Sequence, residues 1–161
     1  LSVFFEDNYD EVHVRKYAEQ CKISPPTASH YLELYATEGL LKKQVDKRYN
    51  LYSANRESFV FVQLARAYWL QRLKEVVVFL EEEVINPHII LFGSLAKGEA
   101  KKDSDIDLAI FSASRKRLDL STFEKKYKRS IHVFLFNDLD AVKESELRWN
   151  IMNGFSLRGN W

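Results

Sequence analysis

Two acidic side chains begin an apolar run in the segment IILFGSLAKGEAKKDSDIDLAIF, residues 89–111. Asp105 and Asp107 are two residues apart, and in an extended strand such side chains point to the same side. Isolated carboxylates in apolar surroundings are costly or become protonated. A divalent cation supplies the missing opposite charge, and carboxylate oxygens are ligands that Mg²⁺ and Mn²⁺ accept. The spacing therefore predicts a metal site at Asp105 and Asp107.

A glycine and a serine, Gly93 and Ser94, follow the preceding apolar run. Glycine permits a tight turn and the close approach of a ligand. We expect Ser94 to cap a following helix, so that its hydroxyl and free backbone N–H groups favour phosphate. Together with the metal site, this turn predicts binding of ATP or another nucleoside triphosphate. Taken alone, the glycine–serine pair is more typical of a plain turn, and the acidic pair is more typical of a solvated strand start.

These residues must be positioned by the elements of the C-terminal half. Three short apolar runs are predicted as strands: HIILF, DLAIFS and SIHVFLF. Between and after the last two runs lie helix-like segments, the second of which ends at Gly154. Strands that alternate with helices indicate a small α/β unit with a mixed sheet over residues 87–161.

A connecting segment over residues 57–86 is predicted as one long amphipathic helix or two in tandem. Its apolar residues fall on a helical stripe with steps of three and four, which Arg66 interrupts. The stripe consists of Phe59, Val62, Trp69, Leu73, Val76 and Leu80.

Residues 1–56 read as short helices followed by a basic hairpin. Ser24 and Pro25 form a typical helix start, a hydroxyl cap followed by proline. Ala28, Tyr31, Leu32 and Tyr35 form one apolar stripe, and Gly39 ends the helix. The order helix, turn, helix and hairpin resembles the winged helix-turn-helix family.

That resemblance implies a nucleic-acid surface. Its candidates are Thr27, Ser29 and His30 on the second helix and Lys42, Lys43, Lys47 and Arg48 on the hairpin. DNA is the implied partner, since basic side chains contact phosphates. The alternatives are a solvated hairpin edge and a surface for dimer or protein contacts.

The spacing Gly93-Ser94, ten residues, then Asp105-Ile106-Asp107 resembles the minimal nucleotidyltransferases of the DNA polymerase beta superfamily. The resemblance implies that the glycine–serine turn binds triphosphate and that the aspartates hold the metals. It also implies transfer of NMP, most commonly AMP, to a protein or nucleic-acid acceptor. Some members of this family act as antitoxins on partner proteins of the HEPN type.

Members of that family usually have a third carboxylate on a neighbouring strand. Here that strand is RSIHVFLF, and none of residues 130–136 is acidic. Its site-facing residues are Ser130 and His132, or else their alternates. His132 is therefore the candidate catalytic base or weak metal ligand, and Asp138 and Asp140 lie beyond the strand.

Composition limits the remaining choices. The 161 residues include 24 Lys and Arg against 23 Asp and Glu, so the chain is no general polycation. Cys21 is the only cysteine, which excludes an internal disulfide and suits the cytoplasm, and the longest apolar run is too short for a bilayer.

We therefore predict an α+β chain with domains at 1–56, 57–86 and 87–161. Three functional hypotheses remain. The first is a magnesium-dependent nucleotidyltransferase, the second is a DNA-binding regulator whose second domain senses nucleotide without catalysis or recruits a partner, and the third is a protein-interaction module with neither activity. A homodimer is left open.

Overall fold

The computed structural model describes residues 1–46, 49–113 and 116–159. It divides into two compact units, Leu1–Ala65 with Gly98–Lys102, and Arg66–Lys97 with Asp103–Trp161. The helices are α1 (Ser2–Glu6), α2 (Val14–Cys21), α3 (Pro25–Thr37), α4 (Phe59–Arg72), α5 (Lys74–Glu83), α6 (Gly93–Lys97), α7 (Ser121–Tyr127) and α8 (Ser145–Met152). The strands are β1 (Val12–His13), β2 (Leu41–Asp46), β3 (Tyr49–Ala54), β4 (His88–Phe92), β5 (Ile106–Phe111), β6 (Ile131–Phe136) and β7 (Phe155–Arg158), and a 3₁₀ turn spans Leu139–Ala141. This content confirms the α+β class.

The first unit combines α1 to α3 with a three-stranded antiparallel sheet in the order β1-β3-β2. The predicted start of α3 is confirmed, because the Ser24 side chain accepts from the Thr27 N–H and Pro25 follows it. Ala28 and Leu32 are fully buried, but Tyr31 is 41% exposed, so its place on the buried stripe was wrong. The ring of Tyr31 instead stacks on Tyr35, which lets a large aromatic side chain lie near the surface.

Two helices in tandem, α4 and α5, occupy the connecting segment, with a break at Leu73. Phe59 is 75% exposed and does not begin the buried stripe. The buried positions of α4 recur every fourth residue, at Phe61, Ala65 and Trp69. The predicted members Trp69, Leu73, Val76 and Leu80 are fully buried, so the stripe is confirmed from Trp69 onward and is wrong at Phe59.

The second unit contains a four-stranded mixed sheet in the order β6-β5-β4-β7. Strand β5 is antiparallel to β4 and parallel to β6. The predicted strands are confirmed, and β7 is an addition that sequence analysis missed. Gly154 permits it, because a Cβ there would clash with Ile90 and with the Leu91 carbonyl oxygen of β4.

One face of this sheet packs against the C-terminal helix of the unit. The hydrophobic core on this face of the sheet consists of Ile90, Phe92, Ala109, Phe111, Val142 and Ile151. This packing fixes the ends of β4 and β5, where the predicted site lies. In the described part of the chain, no helix has both the length and the apolar character that crossing a bilayer requires.

Candidate active site

Gly93 and Asp107 are brought together by the pairing of β4 with β5. The register places Phe92 opposite Asp107, so the residue after Phe92 turns directly beside that carboxylate. Gly93 has φ +72°, and a Cβ on it would lie less than 3.0 Å from Asp107 Oδ2. Glycine is required here both for the left-handed backbone and for the space. The predicted turn and the predicted acidic pair therefore share one location.

The parallel pairing of β5 with β6 adds a histidine. Its register places His132 beside Asp107, which decides between the alternatives left open for this strand. His132 Nδ1 lies 3.2 Å from Asp107 Oδ1 and 4.0 Å from Asp105 Oδ2. The three predicted side chains thus form one cluster, in which Asp105 is 47% exposed and Asp107 25%.

The negative charge of the Asp107 carboxylate is only partly compensated by its surroundings. Burial raises the pKa of Asp107 above its ordinary value, and the neighbouring Asp105 carboxylate raises it further. The hydrogen bond from His132 and the charge of that ring act in the opposite direction. A cation near both carboxylates would remove the electrostatic cost.

A divalent ion fits these donors only in part. Nowhere in the three described ranges do three or more His, Cys, Asp or Glu side chains form a group that could hold a metal ion by themselves. Mg²⁺ commonly takes one or two carboxylates and completes its octahedron with water and substrate phosphate oxygens. Asp105 and Asp107 match the protein part of that donor set, so they could hold an ion together with a bound phosphate.

The two acids beyond β6 do not supply another ligand. Asp138 Oδ1 accepts from the Ala141 N–H at 2.9 Å and caps the 3₁₀ turn. Asp140 forms an ion pair with Arg148 at 3.0 Å. Both carboxylates are therefore already used by the fold.

Ser94 lies inside the first turn of α6 and does not cap it, because the helix already begins at Gly93. At the other end of this helix, Arg66 Nε donates to the Ala96 carbonyl at 2.8 Å. This bond explains the polar interruption in the stripe of α4. Lys97 also donates to Asn150 Oδ1 at 2.8 Å, so α6 is held at its C-terminal end.

Arg129 is a site-supporting residue that sequence analysis missed. Its side chain is buried, its Nη1 donates to the Ser104 carbonyl at 2.6 Å, and its guanidinium lies 5.3 Å from the centre of the Trp69 ring. The Ser104 carbonyl immediately precedes Asp105, so the bond fixes the backbone that carries the acids. Arg129 ends the basic run KKYKR, a pattern more typical of a solvated helix face.

The segment between the two halves of the motif, residues 98–102, belongs to the first unit. Asn8 is buried and pairs with Ala100 twice, through its N–H to the Ala100 carbonyl at 2.7 Å and through Oδ1 from the Ala100 N–H at 2.5 Å. Asn8 Nδ2 also donates to the Phe4 carbonyl at 2.6 Å. The conformation of this segment is therefore set by an N-terminal asparagine that no motif marked.

The predicted nucleic-acid residues of the second helix are spread over different environments. The Thr27 hydroxyl is hydrogen-bonded to that of Ser24 at 2.7 Å. Ser29 is half-buried, whereas His30 is exposed.

The described lysines of the hairpin are engaged in ion pairs. Lys43 contacts Glu33 at 2.7 Å and Lys42 contacts Glu57 at 2.9 Å. Lys47 and Arg48 lie outside the described residues. A phosphate backbone would therefore have to compete with these carboxylates for Lys42 and Lys43.

Comparison with known proteins bears on the second half of the chain. A search of curated proteins finds no match. A family model described as a nucleotidyltransferase domain matches residues 70–147, a range that contains the Gly93 turn and the Asp105–Asp107–His132 cluster. This match supports placing that segment of the chain in the nucleotidyltransferase superfamily.

Proposed function

We propose that this chain binds a nucleoside triphosphate with a divalent cation at the Gly93–Asp107 site and transfers its nucleoside monophosphate part to an acceptor. One observation carries the proposal: the backbone of Gly93 lies against the carboxylate of Asp107, where a Cβ would not fit. The phosphate-binding turn and the acidic pair therefore lie close enough together for one triphosphate to contact both. The family match supports NMP transfer in general.

The residues take separate roles in this proposal. Gly93 and Ser94 hold the triphosphate through the backbone and hydroxyl of the turn. Asp105 and Asp107 hold Mg²⁺ or Mn²⁺, which when bound neutralises phosphate charge and polarises the phosphoryl group. His132, beside Asp107, is the remaining side chain of the catalytic cluster.

The reaction is a displacement at the α-phosphorus. A nucleophilic atom of the acceptor forms a bond to that phosphorus, and the bond from it to the oxygen bridging to the β-phosphate breaks. Pyrophosphate leaves with the electron pair, and the acceptor proton passes to water. Arg129 holds the Ser104 carbonyl and thereby keeps Asp105 in place during this step.

The donor and acceptor follow from the resemblance alone. We propose ATP as the donor and AMP as the transferred group, with a protein or nucleic acid as the acceptor. An antitoxin role toward a HEPN-type protein belongs to the same proposal.

Labelled nucleotide tests the activity directly. The protein is incubated with ATP labelled at the α-phosphate, or in parallel at the γ-phosphate, with Mg²⁺ or Mn²⁺ and with candidate proteins and RNA. The proposal expects transfer of the α label only, and its loss in Asp105→Asn and Asp107→Asn. Transfer of the γ label, or α transfer that survives both substitutions, would contradict it.

A second candidate is a DNA-binding regulator whose nucleotide site lacks catalysis. It is supported by the order of α2, α3 and the β2–β3 hairpin, which resembles that of a winged helix, and by the non-acidic residue at the site-facing position of β6. Sequence-selective DNA binding without label transfer would favour this candidate. Label transfer without DNA binding would exclude it.

A further inference from the structure

The position that would supply a third site carboxylate is occupied by His132. The β5–β6 register pairs His132 with Asp107, and His132 Nδ1 lies 3.2 Å from Asp107 Oδ1. The ring therefore takes the place beside Asp107 and also engages one of its oxygens. An imidazole nitrogen is a poorer ligand than a carboxylate oxygen for Mg²⁺.

The two oxygens of Asp107 consequently have different surroundings. Oδ1 faces the His132 ring, while Oδ2 lies on the side where a Cβ of Gly93 would stand. A second catalytic ion roughly 4 Å from the first would need further ligands. Asp107 could offer Oδ2 to one ion, whereas Oδ1 already contacts the His132 ring and β6 presents no carboxylate at this position to complete the ligands of a second ion.

No other described acid replaces the missing ligand. Asp138 caps the 3₁₀ turn and Asp140 is paired with Arg148. No group of three or more potential metal ligands is found in the ranges 1–46, 49–113 and 116–159. The six residues outside these ranges, Lys47, Arg48, Ser114, Arg115, Asn160 and Trp161, include no acid.

We infer that this site holds a single divalent ion together with its nucleotide, because His132 stands where a second ion would need a further carboxylate. The inference rests on the proposed nucleotide site and specifies its metal content. Asp105 and Asp107 would hold the ion together with the phosphates, and His132 would remain hydrogen-bonded to Asp107 Oδ1.

The number of Mn²⁺ ions bound per complex tests this inference without a measurement of activity. The full chain is mixed with an equimolar non-hydrolysable ATP analogue, and Mn²⁺ is titrated while electron paramagnetic resonance reports free and bound ion. We expect one bound Mn²⁺ per complex and the spectrum of an isolated ion. His132→Asp restores a carboxylate beside Asp107 and should bind a second Mn²⁺ with a spectrum broadened by coupling between the ions. His132→Asn, which adds no charge, is the matched control and should keep one ion.

The outcomes separate the inference from the proposed function. Two coupled ions in the unaltered chain would overturn the inference but leave nucleotide binding intact. One ion in a folded His132→Asp variant would overturn the role assigned to His132. Failure of the unaltered chain to form any Mn²⁺–nucleotide complex would contradict the proposed function itself. The count for the unaltered chain decides the ion number even if the aspartate variant does not fold.

Discussion

The α-carbon of Gly93 lies against the carboxylate of Asp107, so closely that any side chain at position 93 would displace it. The two residues come from different strands, and the pairing of Phe92 with Asp107 in the β4–β5 ladder creates the contact. The backbone turn that would receive phosphate and the acid that would hold a metal are thus one structural feature.

Substitution Gly93→Ala should abolish nucleotide binding and destabilise the protein. The new Cβ would meet Asp107 Oδ2 at under 3.0 Å, in addition to the strain of φ +72°. Gly39→Ala is the matched control, because Gly39 has φ +69° and no atom within 4 Å of the added Cβ. We expect the control to cost about 1 kcal/mol of unfolding free energy and to leave binding unchanged. Equal binding by both variants in calorimetry would contradict the proposed contact.

Substitution Asp107→Asn should stabilise the metal-free protein at neutral pH. Burial raises the pKa of Asp107, so the folded state takes up its proton more readily than the unfolded state. Stability is therefore lost as pH rises from the ordinary value of 3.8 through the folded pKa, and the cost persists above it. We expect a gain of roughly 0.5 to 2 kcal/mol in chemical denaturation at pH 7, shrinking toward pH 3. A destabilised variant at pH 7 would show that the bond to His132 outweighs the cost of burial.

Arg129 should influence the site through Ser104. Arg129→Met removes a charged donor from a partly buried carbonyl, and we expect a loss of about 2 kcal/mol in stability and a weaker affinity for metal and nucleotide. Leu108→Ala is the control, since it destabilises the same strand by roughly 2 to 5 kcal/mol without touching Ser104. Calorimetry at a temperature where both variants are folded should show weaker nucleotide binding for Arg129→Met alone. Equal nucleotide affinities for the two variants would show that Arg129 contributes to stability and does not position the site.

Glu33 should stabilise the first unit more than a surface ion pair would. It accepts from Lys43 at 2.7 Å and from the buried Tyr52 hydroxyl at 2.6 Å. Glu33→Ala would leave that hydroxyl without this acceptor and should cost roughly 1 to 3 kcal/mol in urea denaturation. Glu57→Ala, which removes the partner of Lys42 at an exposed position, should cost much less, because solvent screens an exposed ion pair. Similar costs for the two variants would contradict the importance of the hydrogen bond between Glu33 and Tyr52.

The stabilisation that Glu33 gives to the first unit should depend on pH with a definite sign. The hydrogen bond from Lys43, followed by that from Tyr52, lowers the pKa of Glu33 below 4.5. The stabilisation is therefore complete above that ordinary value and is lost as pH falls through the lower folded pKa. Burial, followed by the bond to Glu33, raises the pKa of Tyr52 to about 12.

Local sequence signals were sufficient for the part of the site that depends on strand periodicity and turn chemistry. The alternation of side chains in a strand placed Asp105 and Asp107 on one side, and glycine after an apolar run marked the turn. The register of β6 was the undecided element, because a shift of one residue turns the opposite set of side chains toward the site. The parallel pairing with β5 selects His132.

The bond that supports the site was not predictable in this way. Arg129 donates to a backbone carbonyl that is distant in sequence, and such a bond leaves no periodic signal. Burial of a charged side chain also contradicts the composition of the run that contains Arg129. The exposure of Tyr31 was also not predictable from periodicity. Its ring stacks on Tyr35 and does not lie in the core.

The most direct test of the account is calorimetric titration of a non-hydrolysable ATP analogue, with and without Mg²⁺, into the intact chain and into an Asp105→Asn, Asp107→Asn double variant. We predict binding by the unaltered chain that strengthens with Mg²⁺, and a loss of at least about tenfold, or 1.4 kcal/mol, in the double variant when Mg²⁺ is present. The same affinity for both proteins in the presence and absence of Mg²⁺ would contradict the assignment of a metal–nucleotide site to Gly93, Asp105 and Asp107.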